Sequence, residues 1–306
     1  MTSDDGLDRR GGLRAWYANL VSTGWVIPTF VTAWAVVVIL PLIIIVFYSF
    51  FTIKNYQVVY DPTFKSWISL IESGRWIAAL RTLRVAFTIT LIEFLIAFPF
   101  ALWLAKGCRS KSLKAVIITL LTIPFFLDAP SRIIIWRAIL GNNGIINTML
   151  INLGVIDTPV EWLLFSEFAV HFGMMGPYFP TMVFPIFLVL TLIDDEYIQA
   201  SYDLGASPGQ TLLYVIFPLA LPGIIAGIVF TLVPLMAAWI EPQMLGGGFV
   251  NLLGASVEAA LRELKYPIAA ALSTVVVAML AALMVVLIVI SRKRADLATI
   301  FQAMRR

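Results

Sequence analysis

Long apolar runs determine what this chain can fold into. Six of them reach the length of about 20 residues that a helix needs to cross the hydrocarbon core of a bilayer. They lie near residues 27–51, 83–105, 115–138, 168–192, 219–240 and 268–290. Because lipid offers no hydrogen-bond partners, a segment inside it must satisfy its own backbone as a helix. The runs therefore predict an all-α integral membrane protein with six transmembrane helices.

The composition agrees with this membrane setting. Hydrophobic residues make up 60% of the chain and charged residues 13%, a balance that excludes an ordinary water-soluble domain. The only cysteine is Cys108 and the only histidine is His171. One residue of each kind excludes an intrachain disulfide and argues against a protein metal site, so we expect no metal.

The third apolar run is interrupted by polar and helix-breaking residues. Asp128, Pro130 and Arg132 fall inside it. Such residues are tolerated at membrane depth where the backbone is buried in protein or lines a cavity. The third run therefore predicts a broken or tilted helix, whereas the uncharged sixth run predicts an uninterrupted one.

Lysine and arginine predict the orientation, because short loops rich in these residues stay in the cytoplasm. The connection 139–167 contains neither and is predicted to lie outside, which places both termini in the cytoplasm. Against this, Lys54, Lys65 and Arg75 fall in a connection predicted to lie outside. We expect a cytoplasmic segment 1–24, a transmembrane domain 25–291 and a basic cytoplasmic tail 292–306. The residues that indicate the cytoplasm are Arg9, Arg10, Arg14, Lys106, Arg109, Lys111, Lys114, Arg292, Lys293, Arg294, Arg305 and Arg306.

A polar loop, residues 193–217, separates the fourth and fifth runs and carries its own helix signals. Acidic residues at 194–196 put negative charge where a helix begins, next to its unpaired N–H groups. The helix can run to Leu204, because Gly205 follows as a residue able to adopt the left-handed conformation that ends a helix. The loop contains no lysine or arginine.

A second helix start follows at once in the same loop. Ser207 stands at the cap position, Pro208 at the first helical position and Gln210 at the third, which is a capping-box pattern. Pro218 and Pro222 then indicate where the polar element gives way to the fifth span. The loop is therefore predicted to fold as helix, glycine turn and helix.

The order of residues in the polar loop resembles the EAA loop of permeases from ATP-binding-cassette importers. The resemblance rests on Gln199-Ala200-Ser201, Asp203-Leu204-Gly205-Ala206-Ser207 and Pro218-Leu219-Ala220-Leu221-Pro222-Gly223. It implies the type I importer permease fold, and a coupling helix near Ser207–Leu213 that sits in a cleft of a cytoplasmic ATPase. An ordinary inter-span loop is the alternative, which the full spacing through Pro222 disfavours. The residues that the resemblance assigns to coupling are Gln199, Ala200, Ser201, Asp203, Gly205, Ala206, Ser207 and Pro208.

One departure from the family motif concerns charge. Gln199-Ala200-Ser201 stands where the motif usually begins Glu-Ala-Ala. The carboxylate of that Glu is therefore missing here, together with any salt bridge that it makes in the family.

The chain lacks the means to hydrolyse ATP. A phosphate-binding loop needs a lysine after two spaced glycines, and the nearest match, at Gly205–Thr211, is one residue short and has Gln210 in the lysine position. The sequence also shows no catalytic Ser-His-Asp set, so we expect a transport subunit and not an enzyme. We expect no cofactor on this chain and no nucleic acid as a partner. The resemblance implies an ATPase dimer that holds ATP and Mg²⁺, a second permease chain, an external solute-binding protein, a small-molecule solute, and the lipid of a bacterial inner membrane.

Charged residues inside or beside the spans are candidates for a substrate path, because a charge at the centre of a membrane helix costs about 3 kcal/mol. They are Glu93, Asp128, Arg132 and Glu241. Asp128 and Arg132 are four residues apart on one helix face, so a structural ion pair explains them equally well. Glu93 is equally explained as a protonated group or one bonded between helices, and Glu241 as an interfacial residue at the end of the fifth span.

Aromatic residues near the span ends also have two explanations. An interfacial belt is the default for tryptophan at such positions. Stacking against a cationic solute is the alternative, for which the candidates are Trp136, Tyr178 and Trp239.

Further motifs resemble the spermidine/putrescine-type importer permeases. The resemblance covers most of the chain from about Ile27 to Ser291 and implies an importer of polyamine or a related small cation. The acidic candidates named above would suit such a cargo. The motifs are Ile123-Pro124-Phe125-Phe126, Arg132 with Trp136, Leu140-Gly141-Asn142-Asn143-Gly144-Ile145-Ile146-Asn147, Tyr178-Phe179-Pro180, Phe184-Pro185 and Glu241-Pro242-Gln243-Met244-Leu245-Gly246-Gly247.

Other cargoes and other classes of protein remain open. Similar permeases serve opines, other amino-acid derivatives, phosphonates, thiamine and ferric ion. An ATP-independent secondary carrier or channel is a further alternative, although many carriers show an internal repeat that we do not find here. A membrane scaffold that only anchors an ATPase is the last one.

Overall fold

The computed structural model describes residues 26–54 and 57–294. The predicted cytoplasmic segment 1–24, with Arg9, Arg10 and Arg14, lies outside these ranges. Arg305 and Arg306 of the predicted basic tail lie outside them as well.

The first half of the chain alternates membrane helices with short elements. A π-helical segment, Trp103–Gly107, extends the third helix. The two strands pair antiparallel, with Ile53 opposite Val58. The elements are α1 (Val26–Tyr48), β1 (Thr52–Lys54), β2 (Gln57–Val59), α2 (Lys65–Glu72), α3 (Trp76–Leu102), α4 (Lys111–Phe126), α5 (Ala129–Leu140) and α6 (Ile145–Asn152).

The second half follows the same plan. A 3-10 turn, Glu161–Leu163, precedes its first helix, and a π-helical segment, Leu212–Ile216, joins the third helix to the fourth. The helices are α7 (Glu167–Leu192), α8 (Asp195–Asp203), α9 (Pro208–Thr211), α10 (Phe217–Ala237), α11 (Ile240–Leu245), α12 (Leu253–Arg262) and α13 (Tyr266–Arg294).

Six membrane crossings account for the long helices of the described residues. Five helices are continuous, and a bent pair, Lys111–Phe126 with Ala129–Asn152, supplies the sixth with an angle of 103° between its halves. The predicted number of spans and the predicted break in the third are thus confirmed. The continuous spans are Ile27–Tyr48, Trp76–Gly107, Glu167–Leu192, Pro208–Ala237 and Tyr266–Val289.

The second span is longer than its apolar run. The sequence places its start near residue 83, whereas the helix begins at Trp76. The additional turns contain two arginines with partners: Arg81 donates to the Phe249 carbonyl at 3.0 Å, and Arg84 pairs with Glu167 at 2.6 Å. The apolar run marks only the part of a helix that meets lipid or the protein core. The run is therefore shorter than the helix where polar side chains make contacts such as these.

The break in the third span is a helix start within the membrane region. Leu127 and Asp128 are extended, with ψ of 129° and 153°. The Asp128 carboxylate accepts a hydrogen bond from the Ser131 N–H at 3.3 Å and so caps α5. Pro130 lies in the first turn of α5, where its missing N–H leaves no bond unmade. The residues that interrupt the run therefore begin a new helix in another direction.

Helices α7 and α10 form the central seam of the bundle, and α3 packs against both. Gly223 and Gly227 lie four residues apart on the α10 side of this seam. A Cβ atom on Gly223 would lie 2.6 Å from the Pro185 carbonyl oxygen, and one on Gly227 would lie 2.9 Å from that of Met182. Small residues at this spacing let helix backbones approach closely, so these glycines set the distance between α7 and α10.

Side-chain bonds tie the connections together at each end of the bundle. At one end the Lys106 ammonium donates to the Ile193 carbonyl at 2.5 Å and pairs with Asp195 at 2.6 Å. The Arg84–Glu167 pair lies at the opposite end. The connection after the second span and the polar loop therefore lie at the same end, as the predicted orientation requires. Which end faces the cytoplasm stays a prediction.

Candidate functional site

The polar loop begins as its sequence predicts. Helix α8 ends at Asp203, one residue earlier than expected, and Gly205 has a φ of +81° in the left-handed region. The Ser207 N–H donates to the Gln210 side chain at 2.8 Å, and the Gln210 N–H donates to the Ser207 hydroxyl at 3.4 Å. The glycine turn and the capping box are thus confirmed.

The second helix of the loop begins after Ser207 as predicted, but it does not end near Leu213. It continues from Pro208 through the π-helical segment into α10, as one helix to Ala237. Local π geometry can satisfy the backbone next to a proline, which explains why Pro218 does not end the helix, and Pro222 lies within it. The fifth span therefore starts at Pro208 rather than near 219.

Four side chains hold the two halves of the loop and its base together. The Ser201 and Thr211 hydroxyls lie 2.8 Å apart in a buried contact between α8 and α9. At the base, Lys106 binds the Ile193 carbonyl and the Asp195 carboxylate. Sequence reasoning counted Lys106 only for orientation, because its partners are 87 and 89 residues away.

The rest of the loop faces outward. The Leu204 side chain, at the turn, is 89% exposed, and that of Tyr214 is 77% exposed. Exposed apolar side chains on a polar, capped loop are typical of a protein-binding surface. Of the residues that the sequence assigns to coupling, Ser201 is buried, Ala206 is half-buried, and the exposed ones are Gln199, Ala200, Asp203, Gly205, Ser207 and Pro208.

A second group of candidates meets inside the bundle. Glu241, Arg132 and Glu93 all lie within electrostatic range of the hydroxyl of Tyr178. These four residues, the Tyr178 cluster, come from α11, α5, α3 and α7. Tyr178 packs against the apolar cluster that contains Ile89 and Ile133, and Ile240 packs on it as well. The two carboxyl groups, the guanidinium and the phenol therefore lie in the same part of the bundle although the chain separates them by up to 148 residues.

Glu93 has the least usual environment in this cluster. Its side chain is fully buried, and neither carboxylate oxygen has a hydrogen-bond partner among the described residues. It shares a face of α3 with Ile89 and Ala97, which belong to two different core clusters. A buried polar group without a partner costs about 1–3 kcal/mol. Glu93 is thus held at the junction of two apolar clusters at a cost to stability.

Asp128 and Arg132 do not form the ion pair that their spacing suggests. Asp128 caps α5, while Arg132 Nη1 donates to the Pro124 carbonyl at 2.9 Å. The bend before α5 explains the difference, because it leaves the last carbonyls of α4 without helical partners and within reach of the guanidinium. Arg132 joins the Tyr178 cluster, and Asp128 stays at the break.

Glu241 is buried rather than interfacial, with 5% of its surface exposed. The fifth span ends at Ala237, and the chain turns through an extended Ala238 into the short helix α11. This turn brings Glu241 back into the protein. Trp239, at the cap position of α11, is 36% exposed and remains at the surface.

The Trp136 side chain is packed against its neighbours in the bundle. Its ring meets that of Phe172 edge to face with centroids 4.9 Å apart. Positions 173 and 176 on α7 are glycines, and a Cβ on either would lie 3.7 Å from the indole. Both distances are ordinary van der Waals contacts, so the indole packs directly on α7 as a core tryptophan does, and the close approach at Gly173 is to the Leu245 side chain. Among the described residues, no three His, Cys, Asp or Glu side chains form a group that could hold a metal ion.

The chain is similar to transport proteins over most of its length. The model of the family described as binding-protein-dependent transport system inner membrane component matches residues 94–294. The spermidine/putrescine transport system permease protein PotB of Haemophilus influenzae is 33% identical over 241 residues, which cover 76% of this chain and 79% of the relative. The inner membrane ABC transporter permease protein YdcU of Escherichia coli K12 is 27% identical over 254 residues, which cover 78% and 80%.

A solved structure shares the fold. It is that of a bacterial alginate ABC transporter in complex with an alginate pentasaccharide-bound periplasmic protein. The match has a TM-score of 0.69 and 17% identity, and it covers 94% of this chain and 97% of the other. The six-span arrangement with its broken third span is therefore that of an importer permease of type I.

Proposed function

The chain belongs to the family of binding-protein-dependent transport system inner membrane components, and on that premise we propose that it forms half of the path of a polyamine importer. As a permease subunit of this multi-pass inner-membrane family it transports and does not catalyse. The proposed cargo is spermidine, putrescine or a related small cation.

The Tyr178 cluster carries the proposal about cargo. It sets two buried carboxyl groups, Glu93 and Glu241, against one guanidinium, Arg132. Glu93 has no partner of its own. A diffusible cation with several ammonium groups would supply hydrogen-bond donors to such groups and favour their charged forms. Curated relatives named for spermidine and putrescine transport support the same cargo.

The polar loop supports the proposal about energy supply. We propose that its exposed turn at Leu204 docks an ATPase dimer, which would hold ATP and Mg²⁺. The acidic residues at 194–196 favour a partner surface with basic groups. A second permease chain would complete the path, and a solute-binding protein would deliver cargo from outside, with both termini of this chain in the cytoplasm.

The mechanism follows from the continuity of the fifth span. Closure of the ATPases would displace the loop, and α9 would pass the displacement to α10 because the two are one helix. The seam between α10 and α7 would carry it to Tyr178. Nucleotide thus stabilises one of two arrangements of the spans, which is alternating access.

Uptake by the complete importer in proteoliposomes tests this function. With ATP inside and the solute-binding protein outside, we expect uptake of labelled spermidine and none of thiamine or 2-aminoethylphosphonate. Transport of either of these without polyamine uptake would overturn the cargo. Uptake without ATP would overturn the importer mechanism.

A conservative substitution tests the cluster itself. Glu241→Gln keeps the shape of the side chain and removes its charge, so we expect substrate-stimulated turnover to fall roughly tenfold while assembly is unchanged. Glu72→Gln removes an exposed carboxylate of α2 and serves as the control. Normal uptake by Glu241→Gln would remove Glu241 from the path.

A further inference from the structure

A cavity of about 350 Å³ opens between the first and last spans, at the end of the bundle opposite the polar loop. It is remote from the Tyr178 cluster, and the proposed transport cycle does not use it. The lining residues that matter here are Thr52, Ile53, Lys65, Ser69, Lys265 and Ile268.

The cavity is positively charged. Lys65 and Lys265 line it, and no carboxylate does. Lys265 pairs with Glu263 at 2.7 Å and, through this hydrogen bond and its charge, lowers the pKa of that carboxyl. None of the ion pairs among the described residues includes Lys65. Within that part of the chain, one ammonium charge in the cavity is therefore without a counter-ion.

Two helix starts add to this charge. Lys65 is the first residue of α2, and Lys265 directly precedes α13. Phe64, at the cap position of α2, offers no side-chain acceptor, so the first N–H groups of that helix remain free for another acceptor. The positive ends of both helix dipoles point toward the cavity, which favours an anion there.

The depth of the cavity fits a lipid headgroup. Thr52 lies just beyond the end of α1 and Lys265 just before α13, so both flank apolar spans. No residue in the most apolar stretch of α1 is buried by the rest of the chain, and 6% of those in α13 are. Ile53 and Ile268 give the cavity an apolar wall beside its lysines. A group with an anionic head and an apolar tail matches these surroundings.

We propose that this cavity binds the phosphate-bearing headgroup of an anionic membrane phospholipid, held by Lys65 and Lys265. The Thr52 and Ser69 hydroxyls are available as further donors to the phosphate oxygens. The lipid would fasten the ends of the first and last spans to each other.

Lipid binding to the purified full chain tests the proposal. The chain is delipidated in detergent and titrated with phosphatidylglycerol or with zwitterionic phosphatidylcholine, and bound lipid is counted by native mass spectrometry. We expect one saturable phosphatidylglycerol molecule with tighter binding than phosphatidylcholine. A lysine near a lipid surface contributes roughly fivefold to affinity, so Lys65→Gln with Lys265→Gln should weaken binding about 25-fold.

Two controls separate the cavity from general charge effects. Arg262→Gln removes an exposed cation at the same end but outside the cavity and should bind as the unaltered chain does. Lys65→Arg keeps the charge and should retain the lipid, which guards against a variant that fails through misfolding. Equal binding by the double lysine variant and the unaltered chain would overturn the proposal. Full occupancy by inorganic phosphate alone, in competition with the lipid, would also overturn it, because it would identify a soluble anion as the ligand.

Discussion

In the polar loop, Ser201, Ser207 and Gln210 each find a hydrogen-bond partner no more than 10 residues away. In the Tyr178 cluster, the carboxylate of Glu93 has none among the described residues. Both regions are polar elements in an apolar chain. They differ in whether their polar side chains have hydrogen-bond partners. Apart from the bonds of Lys106 at its base, the loop pairs its polar side chains internally, whereas the cluster would be completed by a ligand.

The difference suggests separate tasks for the two regions. A loop whose bonds are internal can move as one body and transmit a displacement. A cluster with a buried, unpartnered carboxylate holds free energy that a cation can recover on binding. We therefore expect substitutions in the cluster to impair transport without loss of stability. Substitutions in the seam between α7 and α10, which joins the cluster to the loop, should impair both.

The largest effect is expected at that seam. Gly223→Val would force a branched side chain against the Pro185 carbonyl, which cannot rotate away. Overpacking of this kind costs about 1–3 kcal/mol or more, so we expect loss of monodisperse protein in size-exclusion chromatography. Ile225→Val, on the same helix, is the control and should purify normally. A well-folded Gly223→Val protein would show that α7 and α10 are not held at contact distance.

The next effect separates stability from transport. Glu93→Leu removes a buried carboxyl that has no partner, so the thermal midpoint of the purified importer should rise while cation uptake falls roughly tenfold, the equivalent of about 1.4 kcal/mol. Thr90→Val is the control. It also removes a buried polar group from α3, but one whose hydroxyl already has a partner, because it donates to the Ala86 carbonyl at 2.7 Å. A fall in both stability and uptake would mean that Glu93 has a structural partner.

A smaller effect is expected where the loop joins the bundle. Lys106→Met removes the bonds to Ile193 and Asp195, and we expect the amount of solute moved per ATP hydrolysed to fall about threefold, since hydrogen bonds to charged groups contribute about 1.5–3 kcal/mol and this one is partly exposed. Lys111→Met, an exposed lysine nearby, should leave the ratio unchanged. If the two variants moved the same amount of solute per ATP hydrolysed, the contact of the second span with the loop through Lys106 would have no part in coupling.

The smallest effect is expected at the glycine turn. Gly205→Ala places a side chain at a φ of +81° with no neighbour within 4 Å of the new atom, so backbone strain of about 1 kcal/mol is its only cost. We expect about a twofold loss in solute moved per ATP. Gly209→Ala also meets no neighbour, and its φ is not positive, so it isolates the effect of strain. If both variants couple normally, the turn tolerates either conformation.

Signals that act over a few residues were readable from the sequence. The capping box at Ser207 and Gln210, the left-handed Gly205 and the break at Asp128 all depend on neighbours within one helical turn. The number of spans follows from apolar runs alone. These features predict the first helix of the loop, its glycine turn and the start of its second helix.

Features that depend on distant partners were not readable. Lys106 reaches a loop 87 residues away, Glu241 is buried because α11 folds back, and Arg132 turns to a carbonyl that the bend exposes. Pro218 and Pro222 suggested that the polar element gives way to the fifth span near residue 219. The π-helical segment that joins α9 to α10 could not be inferred from propensity. The cluster was found as a set of candidates, but its convergence on Tyr178 required the structure.

The π-helical segment Leu212–Ile216 gives the fifth span one residue more than a regular helix would use over that turn. Each residue of an α-helix rotates the chain by about 100° and advances it by about 1.5 Å. The wide turn absorbs the extra residue, so the helix faces before and after it stay aligned, whereas one residue added to or removed from the regular part of α10 would rotate α8 and α9 about the span axis by roughly this angle. The direction in which the loop projects from the bundle thus depends on the helix of the fifth span. Sequence changes within the loop can alter its contacts without changing that direction.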